Sequence, residues 1–220
     1  MSVSTILIQD AISLLQSMIS IPSFSKEEKE VADHIEQFFR ARNIKTGRLL
    51  NNIYAVNKYF DPSKSSILLN SHHDTVKPAP GYTSDPFQAM EEGDKIIGLG
   101  SNDAGGPLVS LIATFIHFYE ATDLPFNLIL AASAEEEISG KNGIELLLKD
   151  EQFLSVLKGS SIAGALVGEP TKMEMAIAER GLLVLDAVAK GKSGHAARKE
   201  GINAISIALQ DIQTIEQMSF

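Results

Sequence analysis

Cysteine is absent from this chain of 220 residues. A disulfide framework and a thiolate metal site are therefore both excluded, because each is built from cysteine sulfur. Any zinc ion bound by this protein must be held by histidine, aspartate and glutamate side chains. The lack of cysteine is typical of a reducing compartment, and we expect a cytoplasmic protein.

Clusters of basic residues are also missing, and the formal net charge is −9. Nucleic-acid binding depends on Lys and Arg side chains that neutralise phosphates, so this class of partner is excluded. The apolar residues within 1–21 are interrupted by Gln9, Asp10 and Gln16, and no basic stretch precedes them. This segment is predicted to form an amphipathic helix rather than a signal peptide or a membrane span, so no membrane partner is expected.

Runs of β-branched and aliphatic residues alternate with segments of helical spacing along most of the chain. Strands are predicted at 53–59, 66–70, 127–132 and 163–167. Helices are predicted at 4–21, 25–38, 107–119 and 144–149, and a hairpin at 91–94. This alternation indicates an α/β fold, in which helices cover both faces of a sheet and ligands bind at the carboxyl ends of its strands.

The two amino-terminal helices carry specific predictions about their starts. Ser4 is predicted to cap the first helix, and Ser25 and Glu28 are predicted to form a capping box at the second. The first helix is predicted from the apolar residues Ile6, Ile8, Ile12, Leu15 and Ile19.

The character of the sequence changes after Thr171. Two strand-like runs, 173–178 and 182–189, are joined at Arg180 and Gly181, and a final helix is predicted over 203–217. We therefore predict a domain boundary near 178–181.

Imidazole and carboxylate side chains follow the predicted strands. His72, Asp74, Asp103, 135–137 and Glu169 each come just after a strand or in the loop that follows one. Four strand ends therefore direct these groups to one rim, where a bound cation would offset the desolvation and mutual repulsion of buried carboxylates. Taken singly, the same residues also fit a surface loop at His72, a solvated helix start at 135–137 and a turn at Glu169.

The glycine-rich run GLGSNDAGG at 98–106 invites comparison with a phosphate-binding loop. It lacks the Lys of a P-loop, and Asp103 would repel phosphate. A nucleotide site is therefore excluded.

Four segments taken together resemble a family of co-catalytic zinc hydrolases. They are SHHDTV at 71–76, GLGSNDAGG at 98–106, EEEISG at 135–140 and VGEPT at 167–171, in the family's order and approximate spacing. A fifth segment, GKSGHAAR at 191–198 followed by GINA at 201–204, resembles the beginning of the family's lid or dimerisation domain. The family includes acetylornithine deacetylase, succinyl-diaminopimelate desuccinylase, aminoacylase and glutamate carboxypeptidase, and the resemblance is closest to acetylornithine deacetylase.

The resemblance implies a mixed, mostly parallel sheet flanked by helices, as in a zinc-exopeptidase-like catalytic domain. Residues 1–178 would form that domain, and 179–220 would begin an α+β lid through which the protein forms a homodimer. The chain departs from the family pattern at Ala104, where many relatives have Lys, and it has no histidine after His195 to serve as the family's late metal ligand. Both domains are therefore expected to be incomplete in this chain.

The resemblance also implies two Zn²⁺ ions, for which Co²⁺ would substitute. Asp103 would bridge the two metals, since one carboxylate offers two oxygens. His72 and Glu169 would complete the shell of one metal, and Glu137 would bind the other. Asp74 would accept the remaining N–H of the His72 imidazole and fix its tautomer.

Glu136 would be the general base that takes a proton from the attacking water and hands it to the leaving amine. This assignment aligns 135–137 with the family's Asp-Glu-Glu, and a shift by one residue stays open. His195 would reach from the lid, across a dimer, to stabilise the oxyanion, whereas without the resemblance a local hydrogen bond is the preferred interpretation. No ligand role is expected for the other histidines, His34, His73 and His117.

The predicted function is metal-dependent hydrolysis of the amide bond of a small N-acylated amino acid. The leading substrate is N-acetylornithine or a related N-acyl-ornithine or citrulline, which would belong to arginine biosynthesis. Succinyl-diaminopimelate desuccinylase and metal dipeptidase activities are alternatives that use the same metals. An inactive fragment or a dimerisation partner is an alternative of another class.

Overall fold

The computed structural model of this protein describes residues 4–178, 181, 184–198 and 200–218. The chain divides into two units, Met1–Glu174 and Met175–Phe220. The assignment of 1–178 to a catalytic domain and of 179–220 to a lid domain stays a prediction.

A five-stranded mixed sheet forms the centre of the first unit. The strands, including those of a separate hairpin, are β1 Gly47–Leu49, β2 Asn52–Val56, β3 Ser66–His72, β4 Met90–Glu92, β5 Lys95–Ile97, β6 Asn127–Ser133 and β7 Ile162–Val167. The sheet order is β1-β2-β6-β3-β7, and β4 with β5 forms the hairpin. Strand β3 is parallel to β6 and β7, whereas β2 is antiparallel to β1 and β6. All strands of the sheet except β2 therefore run in one direction, as predicted.

Helices cover both faces of this sheet. In the first unit they are α1 Thr5–Ile19, α2 Lys29–Arg40, α3 Gly106–Phe118, α4 Ile144–Leu147 and α5 Glu151–Leu157. Successive side chains of a strand point to opposite faces, so the residues of β6 alternate between two apolar clusters. Leu128 and Leu130 belong to the cluster that contains α1, α2 and α3. Ile129 and Ala131 belong to the other, with Phe153 of α5, and the predicted α/β architecture is confirmed.

Helix α1 begins at the predicted cap but does not bury all of the predicted residues. The Ser4 hydroxyl accepts a hydrogen bond from the Leu7 backbone N–H at 3.2 Å, which confirms the cap. Ile6 and Ile8, however, are 75% and 51% exposed. Successive residues lie about 100° apart around a helix, so a core-facing Leu7 turns both of its neighbours toward solvent.

Among the described residues, no helix is long and apolar enough to cross a membrane.

The predicted capping box at the start of α2 is wrong. Glu28 occupies the N-cap position, but its side chain makes no capping hydrogen bond. The Ser25 hydroxyl donates instead to Asp74 Oδ2 at 2.7 Å. The Glu28 carboxylate accepts hydrogen bonds from the backbone N–H groups of Lys26 and Glu135. Local spacing favours a cap here, but contacts with the loops after β3 and β6 engage both side chains.

The second unit contains the predicted final helix. Helix α6, Ala204–Glu216, begins after Asn203, whose side chain accepts a hydrogen bond from the Ile205 backbone N–H at 2.9 Å. This N-cap is of the ordinary kind, in which a side-chain oxygen satisfies a free donor of the first turn.

Strands are not found where 173–178 and 182–189 predict them, within the described part of these runs. Residues 179–180 and 182–183 lie outside the described residues. A strand needs a partner for its backbone N–H and C=O groups, and the described residues supply none for these runs. Alternation of apolar residues alone is therefore not enough to predict a strand in these two runs.

Leu14→Ala is expected to lower the free energy of unfolding by about 2–5 kcal/mol, because truncation leaves a cavity beneath α1. Leu14 is 2% exposed, whereas Ile6, the matched control, is 75% exposed. Ile6→Ala is expected to change the free energy of unfolding by less than about 0.5 kcal/mol. Urea denaturation followed by circular dichroism measures both values. Equal losses would contradict the orientation of α1.

Candidate metal centre

Three adjacent parallel strands end at the same edge of the sheet. His72 is the last residue of β3, residues 136–137 follow β6, and Glu169 follows β7. A fourth segment, Ser101–Gly105, contains Asp103 and leads directly into α3. Side chains from four distant stretches of sequence therefore reach one rim, as expected for the carboxyl ends of parallel strands.

The imidazole of His72 faces a group of carboxylates. Its Nε2 atom lies 3.1 Å from Asp103 Oδ1, 3.7 Å from Glu136 Oε2 and 4.0 Å from Glu169 Oε2. Ligand atoms of His72, Asp103 and Glu137 lie within 4.8 Å of one another. The structure thus brings together the four predicted metal ligands and the predicted base.

The orientation of the His72 ring is set by Asp74. The Nδ1 atom of His72 lies 2.9 Å from the Asp74 carbonyl oxygen and 3.4 Å from Asp74 Oδ1. A carbonyl oxygen only accepts hydrogen bonds, so Nδ1 carries the proton and donates it. Nε2 therefore points toward the carboxylates, and once it loses its own proton its lone pair is directed as in a histidine that binds metal.

The charges around His72 shift the pKa values of the site. Burial alone would lower the pKa of His72, but the Asp74 carboxylate, followed by Glu169 and Asp103, outweighs it and raises the pKa to about 9. Burial raises the pKa of Glu137, and the negative charge of Asp103 adds to this effect. Burial also raises the pKa of Glu169. His72 opposes this shift, and the neighbouring carboxylates add to it. The site thus holds more negative charge than its own side chains neutralise.

The donor set fits a zinc-type cation. Within the described residues, neither Lys nor Arg forms a salt bridge with Asp103, Glu136, Glu137 or Glu169. One oriented imidazole nitrogen and several carboxylate oxygens are ligands that Zn²⁺ binds in proteins. A divalent cation would replace the proton on His72 Nε2 and offset the repulsion among the acids.

The carboxylate of Asp74 joins the ends of β3 and β6. It is fully buried and accepts hydrogen bonds from the backbone N–H groups of Glu136, at 3.1 Å, and of Glu137, at 3.2 Å. Burial would raise the pKa of Asp74, but His72, the Ser25 hydroxyl and the Glu136 N–H together lower it. The ionised carboxylate therefore ties the backbone that carries two acids of the site to the histidine of β3.

Glu135 differs from the two glutamates that follow it. Its carboxylate is buried and accepts hydrogen bonds from the side chain and the backbone N–H of Asn142, at 2.7 and 3.3 Å. Its backbone φ of 54° lies in the left-handed region, where non-glycine residues are uncommon. Glu135 is thus engaged in the loop itself, and Glu136 and Glu137 are the members of this run near His72.

Close packing at Gly168 brings the loop after β7 to the site. A Cβ atom at this position would lie 3.0 Å from Leu111 Cδ1 and 3.1 Å from Pro107 Cβ. The Gly168 backbone N–H donates to the Asn70 carbonyl at 2.7 Å, and the Ser71 hydroxyl donates to the Gly168 carbonyl at 2.8 Å. Glycine therefore permits the approach that puts the next residue, a predicted ligand, beside β3.

The segment between α1 and α2 forms part of the wall behind the site. Ser23 donates through its hydroxyl to the His73 carbonyl at 2.8 Å, and its own carbonyl accepts from the Thr75 backbone N–H at 2.7 Å. Ser25 contacts Asp74, as described above. Sequence reasoning missed these contacts. The only signal was the polar pair Ser25 and Glu28, which local spacing assigns to a helix cap.

His34 and His73 of the first unit contact other groups than the carboxylates around His72. His73 is buried next to His72, burial lowers its pKa, and its Nε2 lies 2.9 Å from the Asn51 carbonyl. His34 lies 2.7 Å from the Ser17 hydroxyl, and burial lowers its pKa. In the second unit, the Ala197 backbone N–H donates to His195 Nδ1 at 3.3 Å, the local hydrogen bond of the alternative interpretation. The role of His195 at the oxyanion stays a prediction.

Comparison with known proteins gives relatives by sequence and by fold. The chain is 27% identical over 210 residues to a probable succinyl-diaminopimelate desuccinylase of Staphylococcus aureus, covering 92% of this chain and 49% of that protein. It is 31% identical over 186 residues to a LysW-lysine/LysW-ornithine hydrolase of Sulfurisphaera tokodaii, covering 84% of this chain and 46% of that protein. The chain thus spans about half the length of these curated relatives.

The fold is shared with an M20 family metallo-carboxypeptidase of Sulfolobus solfataricus, at a TM-score of 0.59 and 21% identity, over 73% of this chain and 37% of that one. The family model described as Peptidase family M20/M25/M40 matches residues 68–213, which include every residue of the carboxylate group around His72. This match covers more than half of the sequence. The chain therefore belongs to peptidase family M20/M25/M40.

Proposed function

We propose that this chain supplies the metal-binding part of a hydrolase that cleaves the amide bond of an N-acylated amino acid. The observation that carries the proposal is the approach of Asp103, Glu136 and Glu169 to His72 Nε2 at one edge of the sheet. Family membership supports a hydrolase. The name of the Staphylococcus aureus relative supports an acylated amino acid as the substrate.

Two Zn²⁺ ions, or two Co²⁺ ions, are the proposed cofactors. Asp103 would bridge the two ions, His72 and Glu169 would complete the shell of one, and Glu137 would bind the other. When bound, such ions polarise an amide carbonyl and lower the pKa of water. Asp74 would hold the His72 ring in the tautomer that leaves Nε2 free for this purpose.

Glu136 is the proposed general base. Its side chain is 53% exposed, so it is open to a substrate, and its Oε2 lies 3.7 Å from His72 Nε2. The carboxylate would take a proton from the water that attacks the carbonyl carbon. It would pass this proton to the amine nitrogen as the C–N bond breaks. The hydrogen bond from the Glu136 backbone to Asp74 would keep the base beside the metal ligands.

The second unit would extend this site. We propose that 179–220 begins a lid and dimerisation domain, that the protein is a homodimer, and that His195 stabilises the oxyanion across the dimer. These proposals rest on the resemblance of 191–204 to the family's lid. The alternative of another class, an inactive fragment or a dimerisation partner, stays a prediction.

Glu136→Gln is expected to reduce kcat for amide hydrolysis about 10²- to 10⁴-fold, because it removes the general base, and to leave the metal content unchanged. Glu137→Gln is expected to lower the metal content, measured by atomic emission. Glu145→Gln is the control, since this side chain is 82% exposed. If Glu135→Gln, and not Glu136→Gln, abolishes turnover of the metal-loaded protein, the base lies one residue earlier.

Removal of metal with a chelator is expected to abolish hydrolysis, because the carboxylates and His72 then carry protons or repel one another in place of binding a cation. Addition of Zn²⁺ or Co²⁺ is expected to restore the activity. Metal content and turnover are measured on the same samples. Less than one ion per chain together with no hydrolysis would favour the inactive fragment or dimerisation partner.

N-acetylornithine is expected to give a higher kcat/KM than N-succinyl-diaminopimelate or a dipeptide. The expectation rests on the resemblance of the sequence motifs, which is closest to acetylornithine deacetylase. A panel of the three substrates, assayed by release of free amine, measures the preference. A higher kcat/KM for the succinyl substrate would select the desuccinylase alternative.

A further inference from the structure

Four consecutive backbone N–H groups after β6 donate to buried side chains. The N–H of Ala134 donates to Asn52 Oδ1 at 3.0 Å, and the N–H of Glu135 donates to Glu28 Oε1 at 3.2 Å. The next two N–H groups, of 136–137, donate to the two oxygens of Asp74. The acceptors come from three separate segments of the chain. The backbone that presents the proposed base and a proposed ligand is thus held by side chains and not by strand pairing.

Glu28 is the least expected of these acceptors. It is 1% exposed, and among the described residues no Lys or Arg forms a salt bridge with it. Its Oε1 accepts hydrogen bonds from the backbone N–H groups of Lys26, at 2.6 Å, and of Glu135. Its Oε2 accepts from Asn51 Nδ2 at 2.8 Å. A buried carboxylate without a cation is costly, and these three donors offset the cost.

The hydrogen bond from the Glu135 N–H to Glu28 lies where the backbone changes direction. Glu135 has φ 54°, and its carbonyl accepts from the Gly140 N–H at 2.8 Å while its side chain accepts from Asn142. A residue in the left-handed region reverses the direction of the chain, so its orientation fixes where the following residues point. Glu28 takes up the remaining N–H of this residue.

We propose that Glu28 is a positioning residue, which acts through the backbone of Glu135 to hold Glu136 and Glu137 toward His72. The inference rests on the proposed function only in that these two glutamates serve as base and metal ligand. Glu28 makes no capping bond to α2, and its two long-range hydrogen bonds come from the Asn51 side chain and from the loop after β6.

The test uses Co²⁺ alone as the probe and needs no substrate. Glu28→Ala and Glu28→Gln are compared in the full chain with Glu30→Ala and Glu30→Gln. Glu30 lies in the first turn of α2, carries the same charge and is exposed. Co²⁺ affinity is measured by titration against a competing chelator, and the visible absorption spectrum reports the coordination of the bound ion. Hydrogen exchange of peptides spanning 134–140 reports the loop directly.

Glu28→Ala is expected to weaken Co²⁺ binding about 10- to 100-fold, as loss of a group behind a metal ligand typically does. The visible spectrum should change, and exchange in 134–140 should accelerate about tenfold or more while exchange in α3 stays as in the unchanged protein. Glu28→Gln keeps one side-chain oxygen and should give a smaller change in all three measurements. The Glu30 variants should match the unchanged protein.

Unchanged Co²⁺ affinity and spectrum in folded Glu28→Ala would overturn the proposal. Loss of the folded state in both Glu28 variants, or faster exchange throughout the first unit, would make Glu28 a residue of general stability and would also overturn it. A protein that binds Co²⁺ as expected and shows the Glu28 effect, but hydrolyses no amide, would refute the proposed function and leave this inference standing.

Discussion

The site depends on the buried carboxylate and carbonyl of Asp74. The carbonyl accepts a hydrogen bond from His72 Nδ1, and the two carboxylate oxygens accept hydrogen bonds from the backbone N–H groups of Glu136 and Glu137. One residue thus fixes the direction of an imidazole at the end of β3 and the position of two acids after β6. Hydrogen bonds to a charged group are stronger than neutral ones, which suits Asp74 for joining two strand ends.

The strand order of the sheet brings Glu169 to the same edge as His72. Because β3 is parallel to both β6 and β7, the loops that follow these strands leave from one edge. Gly168 permits its loop to approach Leu111 and Ser71 more closely than any larger residue would. Backbone pairing and one small residue therefore position Glu169, whereas side chains position the turn after β6.

Sequence predicts four strands of the five-stranded sheet and much of the carboxylate group, because these follow from local rules. Strand β1, Gly47–Leu49, is not predicted, since three residues are too few to show a pattern. Apolar runs define β2, β3, β6 and β7, and the residues at or just after their ends place His72 and Glu169 at one rim. Asp103 reaches the same rim from the segment before α3, after a separate hairpin, which the strand-end rule does not describe. Prediction from sequence fails where contacts between distant segments determine the role of a side chain. The spacing of Ser25 and Glu28 fits a helix cap, but the loops after β3 and β6 engage both side chains. The runs at 173–178 and 182–189 have strand-like composition without a partner strand among the described residues.

The segment joining α1 to α2 supports the site although it lies outside the region that matches the family model. The match to the family model begins at residue 68, and every proposed metal ligand lies beyond that point. Ser23, Ser25 and Glu28 lie before it, yet their hydrogen bonds reach the backbone at 73–75 and 135 and the carboxylate of Asp74. A protein shortened to residues 68–213 would retain the proposed metal ligands but lose the hydrogen bonds of Ser23, Ser25 and Glu28 that hold the backbone near them. The border of the family-model match and the border of the structure that supports the site therefore do not coincide in this molecule.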